Sequence, residues 1–443
     1  DSGYDGRADV GIEGGTITAI SPLDGPDGGE GATLRGRTRV DATDRVVAPG
    51  FIDLLSYDPN PYGVWFKVAD GVTTTLGMHG LDGEAGAWFG RWDAEPPPVH
   101  HGGAFDHAWA RNQLGLGIDQ AADRRQRGQL VEMAERGLAE GWSGVHLELE
   151  YTPGADGEEV RAMAEVAKGA RVGVYFHGRY SDATPPGTNA ETLTEILDVA
   201  RSVEVAVHVE HLTSTGGTFT MGESLSTLAE ARDDGVDVTA CMYPYDFWAT
   251  YLGSARFGPG WEERFGISYD DLVIPGTGER LDARRFAQER GRNTLVAAMA
   301  IPEADVVAGL RSPFVMLGSD AVLEPGDNNH PRAAGTFSRV LGRYVRDEGV
   351  LDLASALAKM TILPARRLEA AAPAMARKGR LQVGADADIT VFDPATVADR
   401  ADLADPSQES VGIDWVLVGG QAVKTPDGLQ RDVLPGRAVR RSS

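Results

Sequence analysis

The sequence predicts an α/β protein built on a (β/α)8 TIM barrel, and two observations carry that prediction. Short apolar segments recur through the middle of the chain: GFIDLL, GVTTTLG, GVHLELEY, RVGVYFHGRY, VEVAVHVEHLTSTG, VDVTACMYPY and FVMLGSD. Helix-length amphipathic stretches separate them, the alternation that implies a parallel sheet covered by helices. A barrel of this kind keeps its active site at the C-terminal ends of its strands, so chemistry-bearing residues there are the ones to weigh. With 443 residues, the chain is long enough for such a barrel plus a minor domain.

Taken in order, residues 1 to about 48 read as hairpin strands, because ADVGIEGGTITAISP alternates and is punctuated by Gly and Pro. After the RVGVYFHGRY strand, TNAETLTEILDVARS predicts a helix with Thr188 or Asn189 as N-cap and Leu193, Ile196, Leu197 and Ala200 on one face. The stretch 246–305 breaks the rhythm. Its WATYLGSARFGPGWEERFG is too aromatic for a solvated linker and predicts an inserted lid over the barrel mouth. The run Phe314 to Leu317, bounded by Gly318, predicts a buried parallel strand with Asp320 just past its end. A polar loop from Glu324 to Gly335 follows, carrying His330, Pro331 and Arg332. Leu353, Leu357 and Met360 form a helical packing stripe, and GRLQVGADADITVFDP and DWVLVGGQAVKTPDG return to strand texture.

Composition narrows the function classes. Forty-two Lys and Arg against 66 Asp and Glu give a net charge of −24, which sets nucleic acid and anionic membranes aside as partners. A small-molecule substrate remains, and a homo-oligomer stays open. No apolar run is long enough to span a bilayer, and the opening DSGYDGRADV has neither a basic nor an apolar leader region; without an initial Met, a removed leader stays open. The single cysteine, Cys241, excludes internal disulfides, favours a reducing compartment and makes the cytoplasm the expected location.

His177 and His211 each close an apolar strand one βα unit apart, so their imidazoles leave neighbouring strands about 4.8 Å apart. That geometry suits two ligands on one ion, and imidazole suits zinc; a hydrogen-bonded structural role is the alternative for each ring. His208, inside its strand, reads as structural. For Asp320 the alternatives are a catalytic carboxylate and a helix cap.

GSDA followed by HPRAAGTFSRVLGRYVRDEGVLDLASALAKMTILPARRLE, spanning Ser319 to Glu369, resembles the D-aminoacylase (N-acyl-D-amino-acid deacylase) group of the amidohydrolase superfamily. Weaker matches at HGR, EHLTSTG, YPY and GADADITVFDP extend it. The resemblance implies a metal-dependent barrel over residues 49–379, with 246–305 as lid, and a small β-sandwich domain from residues 1–48 plus 380–443. It makes Asp320 the proton-transfer group and puts His79 where the family has a cysteine, once one residue is deleted. It implies Glu150 as an oxygen ligand, the alternative being that Glu148 and Glu150 only line the mouth. Arg179 would meet a substrate carboxylate, with Tyr243 steadying an oxyanion, and Tyr245, His330 and Tyr57 on the substrate side.

The departure from the family lies in GFIDLLSYD, where Leu55 and Tyr57 replace the two histidines of its HxH motif. The expectation is therefore one zinc at most, held by His79, His177 and His211, and hydrolysis of an amide or cyclic amide bearing a carboxylate. The alternatives are a lyase, isomerase or cyclase on the same scaffold, serving a biosynthetic pathway, and a catalytically silent binding protein. Fold does not decide among them.

Overall fold

A hairpin opens the chain, β1 (Ala8–Glu13) pairing antiparallel with β2 (Thr16–Pro22) across Gly14 and Gly15, both at positive φ. The computed structural model describes residues 5–23, 33–185 and 187–442. After β3 (Val46–Pro49) come seven strands that lie side by side in chain order: β4 (Phe51–Asp53), β5 (Val72–Leu81), β6 (His100–Asp106), β7 (Gly144–Glu148), β8 (Gly173–His177), β9 (Val207–Val209) and β10 (Val238–Met242). The stretch 246–305 then builds its own antiparallel sheet from β11 (Trp248–Tyr251), β12 (Leu272–Ile274), β13 (Glu279–Arg280) and β14 (Leu295–Ala298). Parallel to β10 runs β15 (Val315–Leu317), which completes eight barrel strands. Finally β16 (Ile389–Phe392), β17 (Ile413–Val418), β18 (Gln421–Thr425) and β19 (Gly428–Leu429) join β3 in a five-stranded sheet.

The expected TIM barrel with a β domain is therefore present. The strand missing from the sequence reading is β6, whose HHGGAFD opens with two histidines and two glycines rather than an apolar run. Those glycines are there for space: a Cβ on Gly103 would lie 2.5 Å from Leu81 Cδ1.

Side chains and loop backbone close the barrel between β4 and β15. Asp53 accepts from Ser319 N–H (2.9 Å), Ser319 Oγ (2.6 Å) and Lys67 Nζ (2.9 Å), all buried. One residue on, Asp320 N–H donates to Leu55 O at 2.7 Å. A buried ammonium paired to a buried carboxylate at this seam fixes the segment that carries Asp320 just past β15. Outside, α1 (Arg124–Glu140), α2 (Gly157–Ala170) and α3 (Asn189–Val203) cover neighbouring strands, α3 starting at a Thr188/Glu191 capping box with the expected apolar face buried.

The terminal segments meet as the resemblance implies. Ile17 N–H donates to Ala385 O at 2.9 Å, and Ile17, Ile389 and Val391 pack with Trp415 and Leu417. The last residues leave that unit, however: His101 donates to Arg437 O and Val439 donates back to His101 O, so the tail runs along β6. The tryptophans and phenylalanines of 246–305 are packed, not solvated. They pack on one another, Trp248 on Phe265 (5.1 Å) and Trp261 stacked on Phe286 (5.5 Å), in a cluster continuous with the main core. Among the described residues, no helix is long and apolar enough to cross a membrane.

Candidate active site

Three histidines converge at the C-terminal ends of the barrel strands. His79 lies near the end of β5, His177 ends β8, and His211 follows β9 by two residues. All three are buried, with one ligand atom from each within 4.8 Å of the others. Each ring is held from behind: His79 Nδ1 by Glu210 Oε2 (2.6 Å), His177 Nε2 by Glu150 Oε2 (2.9 Å) and His211 Nδ1 by Thr215 Oγ1 (3.0 Å). A second partner of this kind fixes the tautomer of a histidine presented to a metal, and on the mouth side His79 Nε2 also stands 3.4 Å from Glu148 Oε1. His177 Nδ1 is buried with no partner among the described residues, as a nitrogen awaiting an ion should be. The three-imidazole donor set therefore fits zinc.

Backbone strain marks the same place. His211 (φ 27) and Asp320 (φ 51) have positive φ without capping a helix, a conformation that non-glycine residues hold only where the surroundings impose it. Asp320 faces the rings. Its Oδ1 accepts from the Tyr57 hydroxyl (3.2 Å) and its Oδ2 pairs with Arg332 Nη2 (2.9 Å). Burial alone would raise the Asp320 carboxyl; Arg332 and the imidazoles of His211, His79 and His177 outweigh it and hold it below the usual carboxylate range. Burial pushes His211 well down, so that ring is neutral and able to donate a lone pair. Burial opposes ionisation of Glu150 too, but Arg256 and His177 bring it down to about 2.

The other expected residues divide. Tyr243 lies at the site, its hydroxyl buried beside Ser214 and its ring 4.3 Å beneath the Arg332 guanidinium. Tyr57 touches Asp320 and sets its ring edge against His79 at 5.6 Å. Glu150, expected as an oxygen ligand, is outside the three-histidine group; its carboxylate is committed to His177, Ser181 Oγ (2.8 Å) and Arg256 Nε (2.9 Å), one layer behind the rings. Arg179, expected to meet a carboxylate, is spent on Glu195 and the carbonyls of Pro153 and Ala155. Tyr245 points away, its hydroxyl on Pro331 O at 3.5 Å and its ring under Arg339. His330 braces its loop, with Nε2 on Phe247 O (3.3 Å) and Nδ1 accepting from Arg332 N–H (3.0 Å).

Two arginines escaped the sequence reading. Arg332 is buried, with Nε and Nη1 lacking partners among the described residues, and its signal was its place two residues after His330 in the polar loop. Arg256, from the inserted segment, reaches Glu150 and Ser214 O (2.6 Å) and lies over Trp248. Nothing in LGSARFG separates it from a surface arginine.

Comparison with known proteins agrees with this geometry. The amidohydrolase family model matches residues 278–424. The chain is 32% identical to the N-acyl-D-glutamate deacylase of Alcaligenes xylosoxydans xylosoxydans, over 99% of this chain and 93% of that one. The chain belongs to the amidohydrolase family. Within it, the chain stands with the D-aminoacylase group, enzymes that act on carbon–nitrogen bonds other than peptide bonds. The structure of N-acyl-D-glutamate deacylase from Bordetella bronchiseptica, complexed with zinc and a phosphonate mimic of the tetrahedral intermediate, superposes with TM-score 0.81 at 30% identity, covering 98% of this chain and 95% of that one. A D-aminoacylase structure, described as having a binuclear metal centre with one-metal activation and second-metal attenuation, superposes with TM-score 0.83 at 25% identity, covering 98% and 96%.

Proposed function

We propose that this amidohydrolase cleaves the amide of an N-acyl amino acid bearing a free carboxylate, of D configuration as in the names of its relatives, with one catalytic zinc held by His79, His177 and His211. The observation that carries this reading is the convergence of three back-pinned imidazoles opposite Asp320 and Arg332. Zinc held there supplies Lewis acidity, which acidifies water and polarises a carbonyl. Asp320 takes the proton of the attacking water as the carbon–oxygen bond forms and returns it to the nitrogen as the carbon–nitrogen bond breaks. Products are a carboxylate and a free amine. Nη1 of Arg332, which has no partner among the described residues, donates to the substrate carboxylate, the task expected of Arg179, and the Tyr243 hydroxyl donates to the oxygen that becomes negative. The activation of D-aminoacylase by one metal is in keeping with a site whose Leu55 and Tyr57 offer no imidazole.

In this reading, residues 1–48 and 380–443 form the β domain, 49–379 the barrel and 246–305 a lid rooted by Arg256 on Glu150. A cytoplasmic setting suits a chain whose only cysteine, Cys241, is free and buried.

The test is an assay of zinc-loaded protein against N-acetyl amino acids of both hands in H₂¹⁸O. The expected result is release of the D-amino acid with ¹⁸O in the acetate; no cleavage of any member would overturn the proposal. One observation favours a second reading, a lyase, isomerase or cyclase: Tyr57 and Arg332 both hold Asp320 and weaken it as a base. Product without solvent oxygen would select it.

A further inference from the structure

Deeper in the barrel lies a second set of ligand-type atoms that the reaction above does not use. His146 on β7, Glu210 after β9 and His79 each place one ligand atom within 4.8 Å of the others, and all are buried. Glu210 Oε2 is 2.6 Å from His79 Nδ1 and 3.3 Å from His146 Nε2. Zinc bonds of about 2.1 Å at tetrahedral angles put neighbouring donors about 3.4 Å apart, so Glu210 and His146 already stand at ligand spacing and His79 would move back by roughly 1 Å or less.

A separate observation points to a ligand. His146 is 1% exposed; its Nε2 stands 3.3 Å from Glu210 Oε2 without making a well-aligned hydrogen bond, and its Nδ1 and Glu210 Oε1 have no hydrogen-bond partner among the described residues. Buried polar atoms left unpaired are costly, and here Nε2 of His146 and the carboxylate of Glu210 face one another across the gap an ion would fill. The nearest other carboxylate, Asp106, stays 3.9 Å from His146 Nδ1. The chain also keeps room for this ring: at Gly80 (φ +82) a Cβ would meet His146 Nδ1 at 2.7 Å.

We propose that His146, Glu210 and Nδ1 of His79 form a second metal site, of the N,N,O type that zinc accepts, with the His79 ring shared between this site and the mouth. Sharing requires His79 to give up both ring protons, so filling the deep site releases protons and weakens as pH falls. Leu55 and Tyr57 take no part in it. The deep ion meets no substrate; it fixes His79 from below, in place of the proton that His79 otherwise gives to Glu210.

Metal-free full-length protein titrated with zinc alone should bind two equivalents by elemental analysis after gel filtration. His146→Gln should bind one, and so should His211→Ala, the first retaining the mouth ion and the second the deep ion. Circular dichroism checks that each variant folds. Because either variant could fail to fold, zinc-edge anomalous scattering from wild-type crystals grown with zinc provides the second measurement, with two peaks expected on either side of the His79 ring. A single peak among His79, His177 and His211 overturns the deep site and leaves the catalytic reading standing. A single peak between His146 and Glu210 does the reverse.

Discussion

At the scale of single residues, the site's chemistry rests on which carboxylate does what. Asp320 lies at positive φ with both oxygens engaged, so Asp320→Asn keeps the shape and loses the proton acceptor. Turnover should fall by roughly 10²–10⁴ while zinc content holds; a variant turning over at the parental rate would make Asp320 a mere structural residue. Glu150 makes the opposite case. It orients His177 from behind, so Glu150→Gln should weaken zinc binding by about 10–100-fold in a chelator competition, whereas a direct ligand would take the ion with it altogether. Sequence made His177, His211 and Asp320 legible because each sits where an apolar strand stops. It hid Glu210, one residue before His211, and Arg332 and Arg256, since a charged side chain turned inward looks in sequence like one turned outward, and only packing tells them apart.

At the scale of elements, strand ends and seams do the positioning. Seven barrel strands were readable from apolar runs; β6 was not, because two histidines and two glycines open it, Gly103 making room for Leu81 on one face and Gly102 for the Val439 carbonyl on the other. The aromatic insertion was recognisable as folded, but its strands pair only with one another, and no local pattern announces that. Gly318 shows how tightly the last seam is built: a Cβ there would lie 2.5 Å from Leu55 Cβ. Gly318→Ala should therefore cost about 1–3 kcal/mol by overpacking, read as a drop in Tm. It should also lower kcat, because pushing Leu55 away disturbs the carbonyl that accepts from Asp320 N–H. A variant with unchanged Tm would mean that the seam yields freely.

At the scale of the whole molecule, the response to acid draws on buried histidines outside the three-histidine set. Burial pushes His101 down to about 4 and His208 down to about 3, so both are neutral in the folded chain and charge only on unfolding. In the unfolded chain each titrates near 6.5. A folded value below the unfolded one means that the unfolded state binds more protons on the acid side. The contribution is thus fully present above pH 6.5 and is lost as pH falls through 6.5 towards 4 for His101 and 3 for His208. For His101 the loss is on the order of 3 kcal/mol. Metal release and the titration of 66 acidic side chains act over the same range, so a wild-type curve alone would not isolate it. His101→Phe does. The ring sits between Trp88 (5.7 Å) and Trp92 (6.2 Å), where an aromatic of similar shape fits, and it lies at the start of β6, beside the C-terminal tail and away from the metal ligands. Between pH 6.5 and 4, Tm of His101→Phe should fall less steeply than wild type, so the two curves draw together or cross as acid is added. Curves that stay parallel across that interval would show that His101 is already protonated in the folded protein.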